Sequence, residues 1–419
     1  MIKGLSFFAA RRPEEVFTPR AALVNKSMYI ARPDYEQELI RALRSKYHIV
    51  IYGDSGCGKS WLYKKVFDQL RVEYTTVDLS TATHADDVDL CLLDALEQEE
   101  WVETERTAER TRGVMPGDIG YQQKGTIVSV KQEDSALVQL CSTIRKKAGS
   151  RKAFIVFENI EHAISHQDVV VELRSLLLAL DDQRFAALDV QICMVGVPFD
   201  IKSLLTDGNK YQTISNRVVE ISEISRMSKD QAKLLILQGF TTELGMDLES
   251  QEYCISQITY LTDRIPQYLH DVCLQVAFIA EENGSIINPK VISDAAHVWV
   301  ETNARQSREF IERIVGPGKV HRSQKAKIIF AISKVESTFF YAQDVDTILR
   351  EQFPATIGSS RIQLMKMLNK LSSGELRILK KDDQQDKFRV VTPKLRSVLR
   401  YCLAIDQNDE TVLLRQQTQ

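Results

Sequence analysis

The segment from His48 to Ser60 constrains this chain more than any other, because it admits one kind of local structure. Residues 48–52, HIVIY, are an apolar, β-branched run of the kind that makes a strand buried on both faces. Gly53, Asp54, Ser55, Gly56, Cys57, Gly58, Lys59 and Ser60 follow and fit G-x-x-x-x-G-K-[ST] at every fixed position. Trp61 then opens WLYKKVFDQL, whose apolar residues return at helical spacing. Strand, glycine loop and helix in that order let backbone N–H groups wrap a phosphate at the positive end of a helix. Lys59 is expected to neutralise the β- and γ-phosphates, and Ser60 to ligate Mg²⁺. The expected ligand is a nucleoside triphosphate, ATP, with all eight loop residues and Trp61 as candidate contacts.

The strands that follow narrow the fold. VEYTTVDLS (72–80) alternates, AFIVF (153–157) and DVQICMVGVPFD (189–200) are apolar, and NRVVEIS (216–222) is a fifth short run. Helical spacing separates them, around 86–100, 135–148 and VVVELRSLLLALDD. Strands alternating with helices imply a parallel five-stranded sheet covered on both faces, an α/β P-loop architecture. Residues 101–134 contain TRGVMPGDIGYQQKG, show little periodicity, and read as an exposed insertion.

With these elements in this order, the chain resembles the AAA+ ATPases, within the group related to origin-recognition initiators and STAND signalling ATPases. MYIARPDYEQELIRALRS (28–45) looks like the segment that covers the adenine there, with Tyr29 and Ile30 as ring contacts. FIVFEN stands at the Walker B strand and ICMVGVP at the sensor 1 strand. The resemblance implies an arginine finger at Arg217, in TISNRVVEI, acting on a neighbouring subunit and therefore a homo-oligomer in the ATP state. LTDRIPQYLHDV resembles the start of the sensor 2 helix, with Arg264 where a glycine is usual and itself a candidate sensor.

The departures from the family concern chemistry. Walker B strands mostly end in Asp-Glu, whereas this one ends in Glu158-Asn159. Glu158 can serve the metal, but Asn159 accepts no proton at neutral pH and can only orient a water. Glu161, three residues past Glu158, is a candidate replacement carboxylate, and VGVP offers no polar sensor 1 side chain. Slow or partner-stimulated hydrolysis is the expectation.

Residues 223–315 are patterned as a helical lid, with Ser228 and Asn288 placed to cap two of its helices. Gly316-Pro317-Gly318 marks a linker. Over 319–405, three amphipathic helices precede a charged turn between two β-runs and a closing helix, an order that resembles a winged-helix domain. Residues 1–27 then read as an N-terminal extension, 28–222 as the nucleotide-binding domain, and 406–419 as a tail. Between 358 and 400 there are eleven Lys/Arg against four Asp/Glu, in a chain of net charge −3. That local excess is the footprint of a phosphate-contacting surface and makes DNA a candidate partner. The candidates are Arg361, Lys366, Lys370, Arg377, Lys380, Lys381, Lys387 and Arg389.

Composition adds bounds. A chain that is 44% hydrophobic and 26% charged is ordinary for a globular protein, and no apolar run reaches the length of a membrane span. Seven scattered cysteines without metal-like pairing read as reduced core thiols of a cytoplasmic protein. Three functions fit: an ATP-dependent switch engaging DNA or a partner protein, a DNA-binding initiator or transposition-type loader, and an autonomous motor. The altered strand end and the absence of a pore-loop aromatic signature count against the motor. By analogy of build, the switch includes bacterial defence ATPases with a separately encoded effector protein.

Overall fold

The computed structural model describes residues 11–80, 88–111, 135–163, 166–179, 183–196, 217–354, 361–382, 385–406 and 410–415. The chain divides into two compact units. One comprises Ala31–Asp54 and Gly58–Ser225, and the other Met1–Ile30, Ser55–Cys57 and Arg226–Gln419.

The first unit is built on five strands: β1 (His48–Tyr52), β2 (Glu73–Asp78), β3 (Ala153–Glu158), β4 (Val190–Gly196) and β5 (Val218–Glu220). Their order is β2-β3-β4-β1-β5, and every pairing is parallel. The expected α/β sheet is therefore present. β3 and β4 are apolar because helices cover both faces: Phe154 to Val156 are fully buried, as are most side chains of β4. On one face the helix Lys59–Leu70 brings Tyr63 and Phe67 into edge contact, 5.4 Å between centroids, and Phe67 meets Phe154 at 5.3 Å. On the other, the helices Val88–Thr111, Ala136–Ala148 and Gln167–Ala179 supply the core around Leu92, Leu140 and Leu173. Parallel pairing places all five carboxyl ends along one edge, the usual crevice for a ligand in an open α/β sheet. The helix from Val88 runs to Thr111, into the stretch read as an insertion, because its Glu, Arg and Ala residues propagate a helix without an apolar stripe. The rest of that stretch, 112–134, lies outside the described residues.

The second unit is mainly helical, with one short parallel pair, β6 (Asp247–Leu248) and β7 (Ile286–Ile287). Ser228 caps Lys229–Leu237 by accepting from Gln231 N at 3.1 Å, and Asn288 caps Pro289–Asn303 by accepting from Val291 N at 3.0 Å, as expected. Within the helix-patterned stretch SKDQAKLLILQGFTTEL, Lys229–Leu237 passes into a π-helical turn, Gln238–Glu243. The turn sets Gly239 against Phe17 so closely that an added Cβ would stand 2.2 Å from Phe17 Cζ. Phe17 lies 4.9 Å from the Phe240 ring centroid and 6.1 Å from that of His270, so the segment read as an extension is part of this core. Thr18 N donates to His270 Nδ1 at 3.2 Å.

Further along, the helices Gln324–Lys334, Ala342–Gln352 and Arg361–Leu371 precede the hairpin β9 (Leu379–Asp382) and β10 (Lys387–Val390), to which Phe340 is bridged at Phe388. The helix Pro393–Cys402 closes the series. The stretch read as a tail instead supplies β12 (Thr411–Leu414), the middle strand between β11 (Leu403–Asp406) and β8 (Val320–His321). Burial of Thr411 and Val412 is the reason, since both side chains are shielded almost completely.

The helices Gln251–Leu261 and Pro266–Glu282 are separated by a tight turn in which Asp263 and Arg264 both have positive φ, 49° and 59°. Two consecutive non-glycine residues in that region are rare and need support from their surroundings. The support is a buried ion cluster. Asp263 Oδ1 accepts from Arg226 and, at 2.8 Å, from Arg400, while Arg396 approaches Oδ2 at 3.5 Å. The described cysteines, all seven of the chain, are buried free thiols. Among the described residues no helix is long and apolar enough to cross a membrane.

Candidate functional site

The glycine loop follows β1 at the carboxyl edge of the sheet. Gly53 is required by space: an added Cβ would stand 2.3 Å from Ile224 O, in the segment leaving β5. Gly58 begins the helix Lys59–Leu70 at φ 90°, a left-handed conformation that glycine adopts without strain. The Lys59 ammonium donates to Gly53 O at 2.8 Å and Asp54 O at 3.1 Å, which folds it back over the loop. Ser60 and Trp61 are half-buried on the first helical turn. The loop tip, Ser55–Cys57, belongs to the second unit. There Gly56, at φ 82°, accepts a hydrogen bond at its carbonyl from Gln267 N at 3.2 Å. An added Cβ on Gly56 would meet Ile265 Cγ2 at 3.0 Å and the Gln267 side chain at 3.1 Å. Sequence reasoning missed this contact of Gln267 with the loop tip, although Gln267 lies one position beyond a proline that signals a helix start.

β4 separates β1 from β3, so the end of β3 lies two strand spacings, about 10 Å, from the end of β1. Glu158 Oε1 accepts from Tyr63 OH at 3.1 Å. Burial and the neighbouring Glu158 charge push the Tyr63 phenol far up, so it stays protonated and serves as a donor. Asn159, at φ 59°, turns its amide away from β3 and donates to Asp78 Oδ1 at 2.7 Å. Asp78 pairs in register with Glu158 across β2 and β3 and also accepts from Ser80 N at 2.9 Å. A second carboxylate therefore stands beside Glu158, supplied by a neighbouring strand. Its only sequence signal was an aspartate at the end of an alternating run. Glu161, on the helical turn Ile160–Ala163, keeps Oε2 out of solvent with no hydrogen-bond partner among the described residues. Such an oxygen is poised to accept from a water or a proton donor.

The remaining candidates lie on other segments. Tyr29 is half-buried and Ile30 buried, both in the second unit. Arg217 precedes β5, and its carbonyl accepts from His48 N at 2.9 Å. It therefore sits at the amino end of β1, the length of the strand away from Gly53. Arg264 is half-buried among the charges of Arg226, Asp263, Glu336 and Arg400, and burial followed by the Arg226 charge lowers its pKa. Residues 197–200, the end of the sensor 1 strand, lie outside the described residues.

Of the basic candidates near the C-terminus, Lys366, Lys370, Arg377 and Lys380 are exposed. Lys381 pairs with Asp386 at 3.0 Å across the hairpin turn, and the Lys387 ammonium stands 5.8 Å from the Tyr341 ring centroid. Arg389 is buried, 6% exposed, with its guanidinium over Phe339. The side chain of Arg361 lies outside the description. Arg396 and Arg400 belong to the Asp263 cluster, so part of the local positive excess is internal structure.

Comparison with known proteins matches residues 41–205 to the family model of an AAA domain. No curated protein matches the chain. Among solved structures, the Walker-type ATPase PABY2304 of Pyrococcus abyssi is similar at 14% identity and a TM-score of 0.52, over 89% of this chain and 96% of that one. The ORC2 protein of Aeropyrum pernix in its ADP form is similar at 12% identity and a TM-score of 0.49, over 92% and 96%. The ORC1 protein of the same organism, in complex with DNA, reaches 14% identity and a TM-score of 0.45, over 93% and 96%. The parallel sheet, its glycine loop and the AAA domain match give the first unit the α/β P-loop fold of AAA+ proteins.

Proposed function

We propose that this chain is an ATP-binding switch that hydrolyses slowly by itself and couples its nucleotide state to self-assembly and to a macromolecular partner. The loop residues Gly53–Ser60 would hold the triphosphate, and Ser60 with Glu158 would hold Mg²⁺, which neutralises phosphate charge when bound. The donor set suits both: a lysine and a helix N-terminus for phosphate, a hydroxyl and a carboxylate for a hard cation. Tyr63 orients the Glu158 carboxylate by its hydrogen bond. The observation that carries the slow-turnover reading is the Asn159–Asp78 hydrogen bond. It locks an amide at the position next to the metal carboxylate and leaves the carboxylates of Asp78 and Glu161 as the candidates for positioning water. Arg217 would act on the phosphate of another copy, as the resemblance to AAA+ proteins implies, which would make the assembled state the competent one. Single-turnover and steady-state measurements on the isolated chain test this: tight ATP binding with turnover well below about 1 s⁻¹ is expected. Turnover at or above that value overturns it.

A second reading is favoured by one observation, the exposure of Lys366, Lys370, Arg377 and Lys380 on a helix-and-hairpin element of winged-helix order. It takes the partner to be duplex DNA. Binding measured over a salt series should fall steeply as salt rises. No binding at low salt removes this reading and leaves a protein partner.

A further inference from the structure

In the second unit, a cavity of about 630 Å³ opens between the helices Gln251–Leu261, Pro289–Asn303, Gln324–Lys334 and Pro393–Cys402 and the strand β11. Its volume lies within the range, about 300–1,000 Å³, of pockets that hold small ligands. Three cations line it, Lys334, Arg400 and Arg415, and none of the lining residues is an aspartate or glutamate. Arg400 is saturated, donating to Ser333 O, Tyr260 O, Val335 O and Asp263. Lys334 is different. Its ammonium stands over the Tyr260 and Phe330 rings, at 4.6 and 5.2 Å from their centroids, with no carboxylate partner among the described residues. The Arg415 guanidinium lies over Tyr401 at 5.4 Å. The charges of Lys334 and Arg415 on its wall raise the local potential and concentrate anions there.

The rest of the lining supplies a second requirement. Tyr253, half exposed, presents aromatic surface for a flat ring beside the partly exposed Tyr260. Gln257 and Gln352 bring amide donors and acceptors that can read a ring edge. We infer that this cavity is a ligand site, separate from the glycine loop, for a small anion carrying a flat heterocycle, the chemistry of a nucleoside monophosphate. The inference does not depend on ATP hydrolysis.

Equilibrium dialysis of the full chain carrying Lys59→Ala, which disables the glycine loop, tests it with AMP, adenosine and inorganic phosphate as probes. AMP is expected to bind at one site per chain and more tightly than either fragment. Lys334→Glu should weaken AMP roughly tenfold or more, the worth of one charge-assisted hydrogen bond. Ser293→Trp, at an exposed position on the cavity lining, should block AMP without touching a cation. Circular dichroism of each variant separates lost binding from lost folding. The inference is overturned by no AMP binding at millimolar concentration, by adenosine or phosphate matching AMP, or by AMP binding that survives both changes in folded protein.

Discussion

Arg400 donates to Asp263 at 2.8 Å and joins residues 137 positions apart in a buried ion pair. The aspartate is shared. Arg226 and Arg396 also converge on it, so one carboxylate is the common partner of three guanidinium groups. The dependence is asymmetric: loss of one arginine leaves the carboxylate paired, while loss of the carboxylate leaves buried cations uncompensated. Asp263→Asn is therefore expected to destabilise by about 3–5 kcal/mol, and Arg396→Met by clearly less. Denaturant unfolding of the two variants checks the order, and equal costs would show that Asp263 is not the hub.

Arg217 stands at the amino end of the β1–β5 pair, away from the loop at the other end. An arginine finger working between copies predicts that Arg217→Ala lowers turnover by about 10³-fold or more under assembling conditions, with ATP affinity nearly intact. Mixing the variant with a Lys59→Ala chain should restore activity, since each supplies what the other lacks. Failure of that complementation, with both chains folded, argues for a role within one copy.

His270 is buried, and burial lowers its pKa to about 4 from an ordinary 6.5. Between those values the unfolded chain binds a proton that the folded chain does not. Stability should then fall as pH drops from 6.5 towards 4, by about 3 kcal/mol in all, and level off below. His270→Gln keeps an acceptor for Thr18 N but cannot titrate. Unfolding midpoints of the variant should change less steeply across this window.

The contact of Phe17 with Gly239 offers a coupling test. Gly239→Ala inserts a methyl where the Phe17 ring lies and should cost about 1–3 kcal/mol. Phe17→Ala alone loses about 3–5 kcal/mol of packing. In combination the two should cost less than their sum, because the cavity left by one accepts the methyl of the other. Strict additivity would mean that the ring and the glycine do not meet.

Much of this was legible in order and little of it in register. The strands, the glycine loop and the caps at Ser228 and Asn288 are written in short windows, where periodicity and residue type decide. Asp78 and Asn159 are 81 positions apart, and only the pairing of β2 with β3 makes them neighbours. The same limit misled the reading of charge. Arg396 and Arg400 look like solvated lysine-rich surface in sequence, yet both are buried because the helix Pro393–Cys402 is covered all round. Thr411–Leu414 is short enough that nothing local distinguishes an enclosed strand from a ragged end.

Phe17, Val16 and Met28 are almost wholly buried in a unit whose other parts, the loop tip apart, begin at Arg226. On a ribosome these three leave the exit before the surfaces they pack against. At about 5–20 residues per second, some 200 residues of synthesis keep them waiting for roughly 10–40 s. The sheet unit can close in that interval, but the arm cannot. Nascent chains of this protein should therefore carry a sticky N-terminal segment until synthesis has passed Phe240 and His270.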